Sequence, residues 1–165
     1  MSYFNKEHVN LLKHSIDWDC IIPLYYPEFP TADGFNNKEE VMAFFTELLT
    51  ATGDWTATAV HGRARELDEV GAGTVVDGNT IASAPLQKLY DEAAELAVFG
   101  LSADTKYAGM GVPASITMVL FMQLNRACLS SATQIGFFTS MIDMVERFCP
   151  EEDRQRLIPK IIEGS

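Results

Sequence analysis

The side chains able to do chemistry are few, and their spacing does not suit it. His8, His14 and His61 have neither the i, i+4 spacing nor the carboxylate partner that a metal site calls for. Cys20, Cys128 and Cys149 are an odd number without metal-type spacing, and two of them sit in apolar surroundings, where a free thiol behaves as a small core hydrophobe. Gly109-Met110-Gly111 is a bare G-x-G with no third glycine and no preceding strand, so it fails as a dinucleotide fingerprint. No G-x-S-x-G, Walker sequence or His–Cys nucleophile arrangement is present. The acids fall on solvated helix faces (Asp91, Glu92, Glu95) or at helix starts (Glu39, Glu151). None interrupts an apolar stripe, as a catalytic carboxylate with a raised pKa would. Residue types alone name no catalytic machinery.

Composition narrows the partners. The chain has 165 residues, enough for one domain with a real core. Lys and Arg number 12 against 23 Asp and Glu, a net charge of −11. That balance disfavours nucleic acid, whose affinity comes from phosphate neutralisation, and it disfavours an anionic membrane surface. The first residues lack an apolar core followed by a small-residue cleavage site. With the odd cysteine count, this gives a cytoplasmic protein as the expectation.

The elements that must hold any site are helical. Val9, Leu12, Ile16 and Cys20 predict a helix from Lys6 to Ile22 that stops at Pro23. A Pro-rich wrapping linker follows to Asn37, which can cap a helix with Glu39 and Glu40 in its first turn. Gly53 predicts a break, after which a more polar helix runs from Trp55 to Val70 with Arg63, Arg65 and Glu66 outside. A small hairpin around Asp77-Gly78 fits residues 74–82. The next helix has Leu86, Leu89, Tyr90, Ala93, Leu96 and Ala97 inside, Asp91, Glu92 and Glu95 outside, and Gly100 as its stop. Two very apolar helices come next, roughly Ser115 to Cys128 and Ser131 to Phe148, and from Ser115 to Ile142 the only charge is Arg126. A last helix begins after Pro150, with Pro159 expected to kink or interrupt it. The fold class is all-α, a bundle of about six to seven helices with one small hairpin.

Helices that are apolar all round must be covered by a core, a membrane or a partner. A membrane hairpin is disfavoured. The uncharged stretch from Tyr107 to Asn125 contains Gly109, Gly111, Pro113, Ser115, Gln123 and Asn125, and the second apolar segment is shorter, with no consistent Lys/Arg flank. A chain this small has little room to enclose both, so a partner surface is expected on residues 115–148.

Order carries more than residue type. Phe99-Gly100-Leu101-Ser102 is followed by the loop Tyr107-Ala108-Gly109-Met110-Gly111-Val112-Pro113. Then come a helix end at Asn125-Arg126-Ala127-Cys128, a second apolar helix, Cys149-Pro150-Glu151 running to Leu157-Ile158-Pro159-Lys160, and Glu163-Gly164. This order resembles the N-terminal helical domain of the acyl-CoA dehydrogenases. Those flavoenzymes carry a Gly-Leu, a Tyr-Gly-Gly-x-Gly-x-Pro loop, a Glu-x-x-(Ser/Ala)-Arg helix end and a Gly-x-x-x-Gln-Lys-x-x-x-Leu-Pro turn before a glycine. The detailed match spans Leu86 to Gly164, and Lys38 to Ala82 fits the larger bacterial members with an N-terminal extension. Ala108, Gln123-Leu124-Asn125 and Cys149 depart from the pattern and touch loop shape rather than known chemistry.

The resemblance implies residues 1–37 as an extension and 38–165 as the family domain. It implies a β-domain holding FAD and a C-terminal helical domain bearing the catalytic Glu, neither within these residues. The chain would therefore be an N-terminal segment ending at a domain boundary, inactive and without FAD by itself, and part of a homo-oligomer in the complete enzyme. It would supply one wall of the acyl pocket for an acyl-CoA substrate through Thr133, Gly136, Phe137 and Ser140, which share a face at spacings of three and four. Gly136 either opens volume there or lets helices approach. Tyr107, Gly109, Gly111 and Pro113 of the loop serve either the turn itself, the favoured reading, or ligand approach. No residue of the chain is expected to be catalytic or to bind metal. The nucleotide end of coenzyme A, a polyanion, is expected to be held elsewhere. The competing reading is a free-standing helical interaction domain without catalysis.

Overall fold

In a computed structural model of the chain, which describes residues 2–164, the first helix, α1 (Lys6–His14), is set by its cap. The Asn5 side chain accepts from the amides of Glu7 and His8, and the His8 ring answers at the Asn5 backbone. His8 is buried, and burial first and the Arg126 charge second hold its pKa below the ordinary value of 6.5. The neutral imidazole is therefore favoured by folding. Stability from this group is present above about pH 6.5 and is lost as pH falls below that value towards the lower folded pKa. Thermal melts across that range are expected to show the decline, and His8→Gln to flatten it.

The single helix expected from Lys6 to Ile22 is two. The chain turns at Ser15–Asp17 so that the Trp18 indole can donate to the Leu12 carbonyl (2.6 Å) at the end of α1. Asp17 then caps α2 (Trp18–Tyr25). Pro23 lies inside α2 rather than ending it, because the carbonyl it leaves without a donor belongs to the exposed Asp19. Pro159 likewise sits within α8 (Glu151–Ile162) without interrupting it, the deprived carbonyl being that of the exposed Gln155.

Asn37 caps α3 (Lys38–Trp55) as expected. Gly53 makes no break. A Cβ there would lie 2.6 Å from the Phe4 amide nitrogen, and Tyr3 donates its N–H to the Gly53 carbonyl (3.1 Å), so the glycine lets the N-terminal strand of chain cross the helix. The irregularity comes later, as a π turn over Thr56–Val60, where Thr56 and Thr58 hydroxyls compete for carbonyls one turn back. The rod then runs on as α4 (His61–Val70) and ends at Gly71, whose φ is +82°. Strands β1 (Gly73–Val76) and β2 (Asn79–Ala82) pair antiparallel around Asp77-Gly78 on the surface, with only Ala82 partly buried against the core.

Helix α5 (Ala84–Glu95) ends before Gly100. Ala97 takes the left-handed conformation (φ +54°), and Val98 donates back to the Ala93 carbonyl, so an alanine does the work expected of a glycine. Gly100 instead makes room for the Ile162 side chain. Two further expectations fail on this helix pair. Arg63 and Glu92, both placed outside by pattern, form a bidentate ion pair (2.7 Å for each bond) that joins α4 to α5, and the Trp55 indole donates to the same carboxylate (3.1 Å). Their side chains are only 19% and 25% exposed. The Arg63 bond holds the Glu92 carboxyl below the usual range, so its contribution is present at neutral pH and fades as pH falls below about 4.5. Glu92→Ala is expected to cost about 1.5–3 kcal/mol in denaturant titration, the range for hydrogen bonds to charged groups.

Helices α6 (Ala114–Ala127), α7 (Leu129–Phe148) and α8 complete the bundle. With α3, the π turn and α4 counted as one rod, there are seven among the described residues, in an all-α bundle with one small hairpin. The main core joins Phe45 and Leu49 of α3, Leu89 of α5, Ile116, Leu120 and Leu124 of α6, and Ile135 of α7. Leu12, Trp18, Ile22 and Tyr26 from the first 37 residues belong to the same core. A second, smaller core links Ala103 and Tyr107 to Ile142 of α7 and to Ile158 and Ile161 of α8.

Candidate functional site

Only Cys128 separates α6 from α7, and the two pack side by side. Each is covered on one face only. Ile116, Val119, Leu120 and Leu124 of α6 and Ala132, Ile135 and Ile142 of α7 are buried. On the other faces Met118 and Met122 of α6, and Phe137, Met141, Met144 and Phe148 of α7, stand in solvent, Phe137 at 59% and Phe148 at 80% exposure. Spacings of three and four keep the α7 residues in one stripe.

Between the two stripes lies a groove of about 370 Å³, lined by Phe121, Asn125, Ala132, Thr133, Gly136, Phe137 and Ser140. All four residues expected from the sequence to form a pocket wall are therefore brought together. Phe121, Asn125 and Ala132 were missed. The first two sit one turn apart on α6, and only knowledge of how α6 lies against α7 would have added them.

Gly136 forms the floor. A Cβ there would meet the Phe121 ring at 3.2 Å, so the missing side chain both lets the ring settle and keeps the groove deep. The polar groups of the lining are spent on their own helices. Thr133 donates to the Leu129 carbonyl (2.9 Å), Ser140 to that of Gly136 (3.2 Å), and the Asn125 amide to that of Phe121 (2.7 Å). With these donors turned inward and no titratable group in the lining, the groove can hold an uncharged apolar chain but cannot move a proton.

The loop after the 3₁₀ turn Thr105–Tyr107 lies apart from this groove; none of its residues lines it. Tyr107 is buried and donates its hydroxyl to the Glu151 carboxylate (3.0 Å), holding that acid below the usual range. Gly109 is required because a Cβ would lie 2.1 Å from the Ala103 carbonyl oxygen. Gly111 takes φ +61°, and Pro113 is the buried cap residue of α6. The amides of Met110, Gly111 and Val112 donate to the carbonyls of Gly100, Ala103 and Leu101. This loop clasps its own chain, and both of its glycines have a local backbone reason. Among the described residues no group of three or more His, Cys, Asp or Glu could hold a metal ion. No helix among them is long and apolar enough to cross a membrane.

The family profile described as acyl-CoA dehydrogenase, N-terminal domain, matches residues 46–165. The chain belongs to that family. No curated protein matches it in a sequence search. The acyl-CoA dehydrogenases depend on FAD in general. The loop amides that could have faced a pyrophosphate are consumed internally, and no lysine or arginine lines the groove. What this acyl-CoA dehydrogenase N-terminal domain offers is an apolar surface.

Proposed function

We propose that the chain is the N-terminal part of a flavin-dependent enzyme that dehydrogenates an acyl-CoA thioester between its α and β carbons. In this reading residues 1–37 extend the family domain, and residues 38–165 form one wall of the acyl pocket and an interface with the rest of the enzyme. The observation that carries it is the groove. Thr133, Gly136, Phe137 and Ser140 line it with Phe121 and Asn125, on an uncovered apolar face, in a chain of this family. The domain binds and orients the uncharged acyl tail through Phe121, Phe137 and the Gly136 floor, and it excludes water from that tail. Proton abstraction and electron acceptance fall to the other domains and their FAD. The net charge of −11 supports leaving the polyanionic coenzyme A moiety to those domains too.

The test is purification of the complete gene product. The reading predicts stoichiometric yellow flavin that bleaches on addition of an acyl-CoA. A gene product without flavin, or one whose flavin no acyl-CoA reduces, overturns it. The separate 165-residue chain is expected to bind no FAD and to self-associate through the α6–α7 face, since exposed apolar patches of several hundred Å² drive association. Sedimentation velocity over a concentration series checks this.

A further inference from the structure

We propose that residues 2–5 form a strap that the neutral His8 ring holds closed over α1 and α3, and that protonation of this ring opens. The strap crosses α3 at the notch left by Gly53, with the Phe4 amide nitrogen 2.6 Å from where a Cβ would stand. Few bonds keep it there. Tyr3 donates its N–H to the Gly53 carbonyl (3.1 Å), its phenol meets Nδ1 of His61 (3.0 Å), and half-buried Phe4 packs on the main core. A segment held by so few contacts opens at a fraction of the cost of global unfolding.

The root of the strap is where protonation acts. His8 is 4% exposed, and the Phe4 ring lies stacked on its imidazole, the centroids 6.0 Å apart. Nδ1 of His8 faces two groups of one residue. It accepts the Asn5 N–H (3.4 Å) and stands 3.0 Å from Asn5 Oδ1. Only an unprotonated Nδ1 can take the backbone N–H. In the imidazolium Nδ1 is a donor, so it releases the Asn5 backbone and turns to Oδ1. There it competes with the Glu7 and His8 amides that Oδ1 already serves (2.9 and 3.3 Å). The bond that roots the strap is lost, and the Asn5 N–H is left facing another donor.

The surrounding charges do not compensate a buried cation. Arg126, at the end of α6, repels it. Glu7, on its own helix, attracts it but is exposed and faces Arg126 at 3.9 Å. No other charged group acts on the ring among the described residues. Burial and Arg126 outweigh Glu7 and hold the ring below its ordinary 6.5. Lifting Phe4 returns the imidazolium to water, so acid favours the open strap. His61 is not a second switch, because the Tyr3 phenol oxygen can accept from a protonated Nδ1 just as its O–H donates to a neutral one. The inference does not rest on the acyl-pocket reading, since neither residues 2–8 nor Gly53 line the groove.

Nitrogen-15 NMR of the 165-residue chain from about pH 8 to about pH 5 tests it. The Tyr3 and Phe4 amides should have order parameters of about 0.85 at the alkaline end and below about 0.6 at the acid end, while α3 amides stay rigid. The change should share its midpoint with the His8 ring protons, and the intrinsic-rate-corrected exchange protection of the Tyr3 amide should fall about tenfold or more. His8→Gln puts at the third helical position an amide oxygen that can accept the Asn5 N–H at any pH, so its strap should stay ordered in acid. Phe4→Ala keeps the imidazole but removes its cover, and should raise the ring's midpoint towards 6.5. Strap amides that stay rigid through the His8 titration overturn the proposal, as does an unchanged acid response in His8→Gln or an unmoved ring midpoint in Phe4→Ala. Loss of strap and α3 order at one midpoint would make the event global acid unfolding and also overturn it.

Discussion

Gly136→Phe in the complete gene product is expected to lower kcat/KM for a long acyl thioester by roughly a hundredfold or more, while short acyl substrates keep most of their turnover. The Cβ position of Gly136 already stands 3.2 Å from the Phe121 ring, so an added side chain cannot lie down on the floor. It must rise into the 370 Å³ groove or push Phe121 aside. Either way the far end of an acyl tail loses its place. Each methylene excluded from an apolar pocket is worth about 1–3 kcal/mol, so losing two of them already reaches the expected factor. Under the proposed function the chemistry falls to other domains, so the loss should scale with chain length and spare kcat for the shortest substrates. A matched thermal melt separates this from unfolding. Loss that is equal at every chain length would place the acyl tail elsewhere.

Gly109→Ala is expected to be the most destabilising single-methyl change in the chain, costing about 3 kcal/mol or more, in the tail of values that signals a structural break. The new Cβ would fall 2.1 Å from the Ala103 carbonyl oxygen and 2.5 Å from the Ala103 Cβ, and neither neighbour is a flexible side-chain end. The loop can yield only by withdrawing from residues 100–104. That sacrifices the Met110, Gly111 and Val112 backbone bonds and loosens buried Tyr107 from Glu151. Gly111→Ala is the internal comparison. Its φ of +61° and its 3.3 Å approach to the Thr105 methyl impose a left-handed cost of about 1–2 kcal/mol, with no backbone collision. Denaturant titration of the two variants should give clearly different midpoints. Similar values would mean that the loop is not clasped as described.

Much of this was legible from the chain because it is local. Asn37 before two glutamates, Asp77-Gly78 between short β-branched runs, and the i, i+3, i+4 stripe of α5 each fix their element within a few residues. The site was half legible for the same reason: Thr133, Gly136, Phe137 and Ser140 share a face of one helix whatever that helix packs against. Phe121 and Asn125 required the relation between two helices. The failures are also tertiary. Gly53 answers to Phe4, about fifty residues away, and Arg63 to Glu92, about thirty away, so neither purpose is visible in its own helix. Ala97 shows the other limit, since a left-handed helix stop held by the Val98–Ala93 bond tolerates an alanine where pattern asks for glycine. Trp18 broke the first helix by reaching for the carbonyl of Leu12, a contact with no signature in hydrophobic periodicity.

The central claim is that the exposed face of α6 and α7 is covered in the working enzyme, and methionine oxidation reads it directly. Met118, Met122, Met141 and Met144 lie on that face, while Met42 and Met110 pack against the core as internal references. Exposed thioethers oxidise to sulfoxides far faster than enclosed ones. In the 165-residue chain under limiting peroxide the first four should oxidise well ahead of the references. In the complete gene product they should be protected, with Met141, beside the groove residue Ser140, protected further by a bound long-chain acyl-CoA. Oxidation of all four at unchanged rates in the complete protein, with or without the acyl-CoA, would contradict the account.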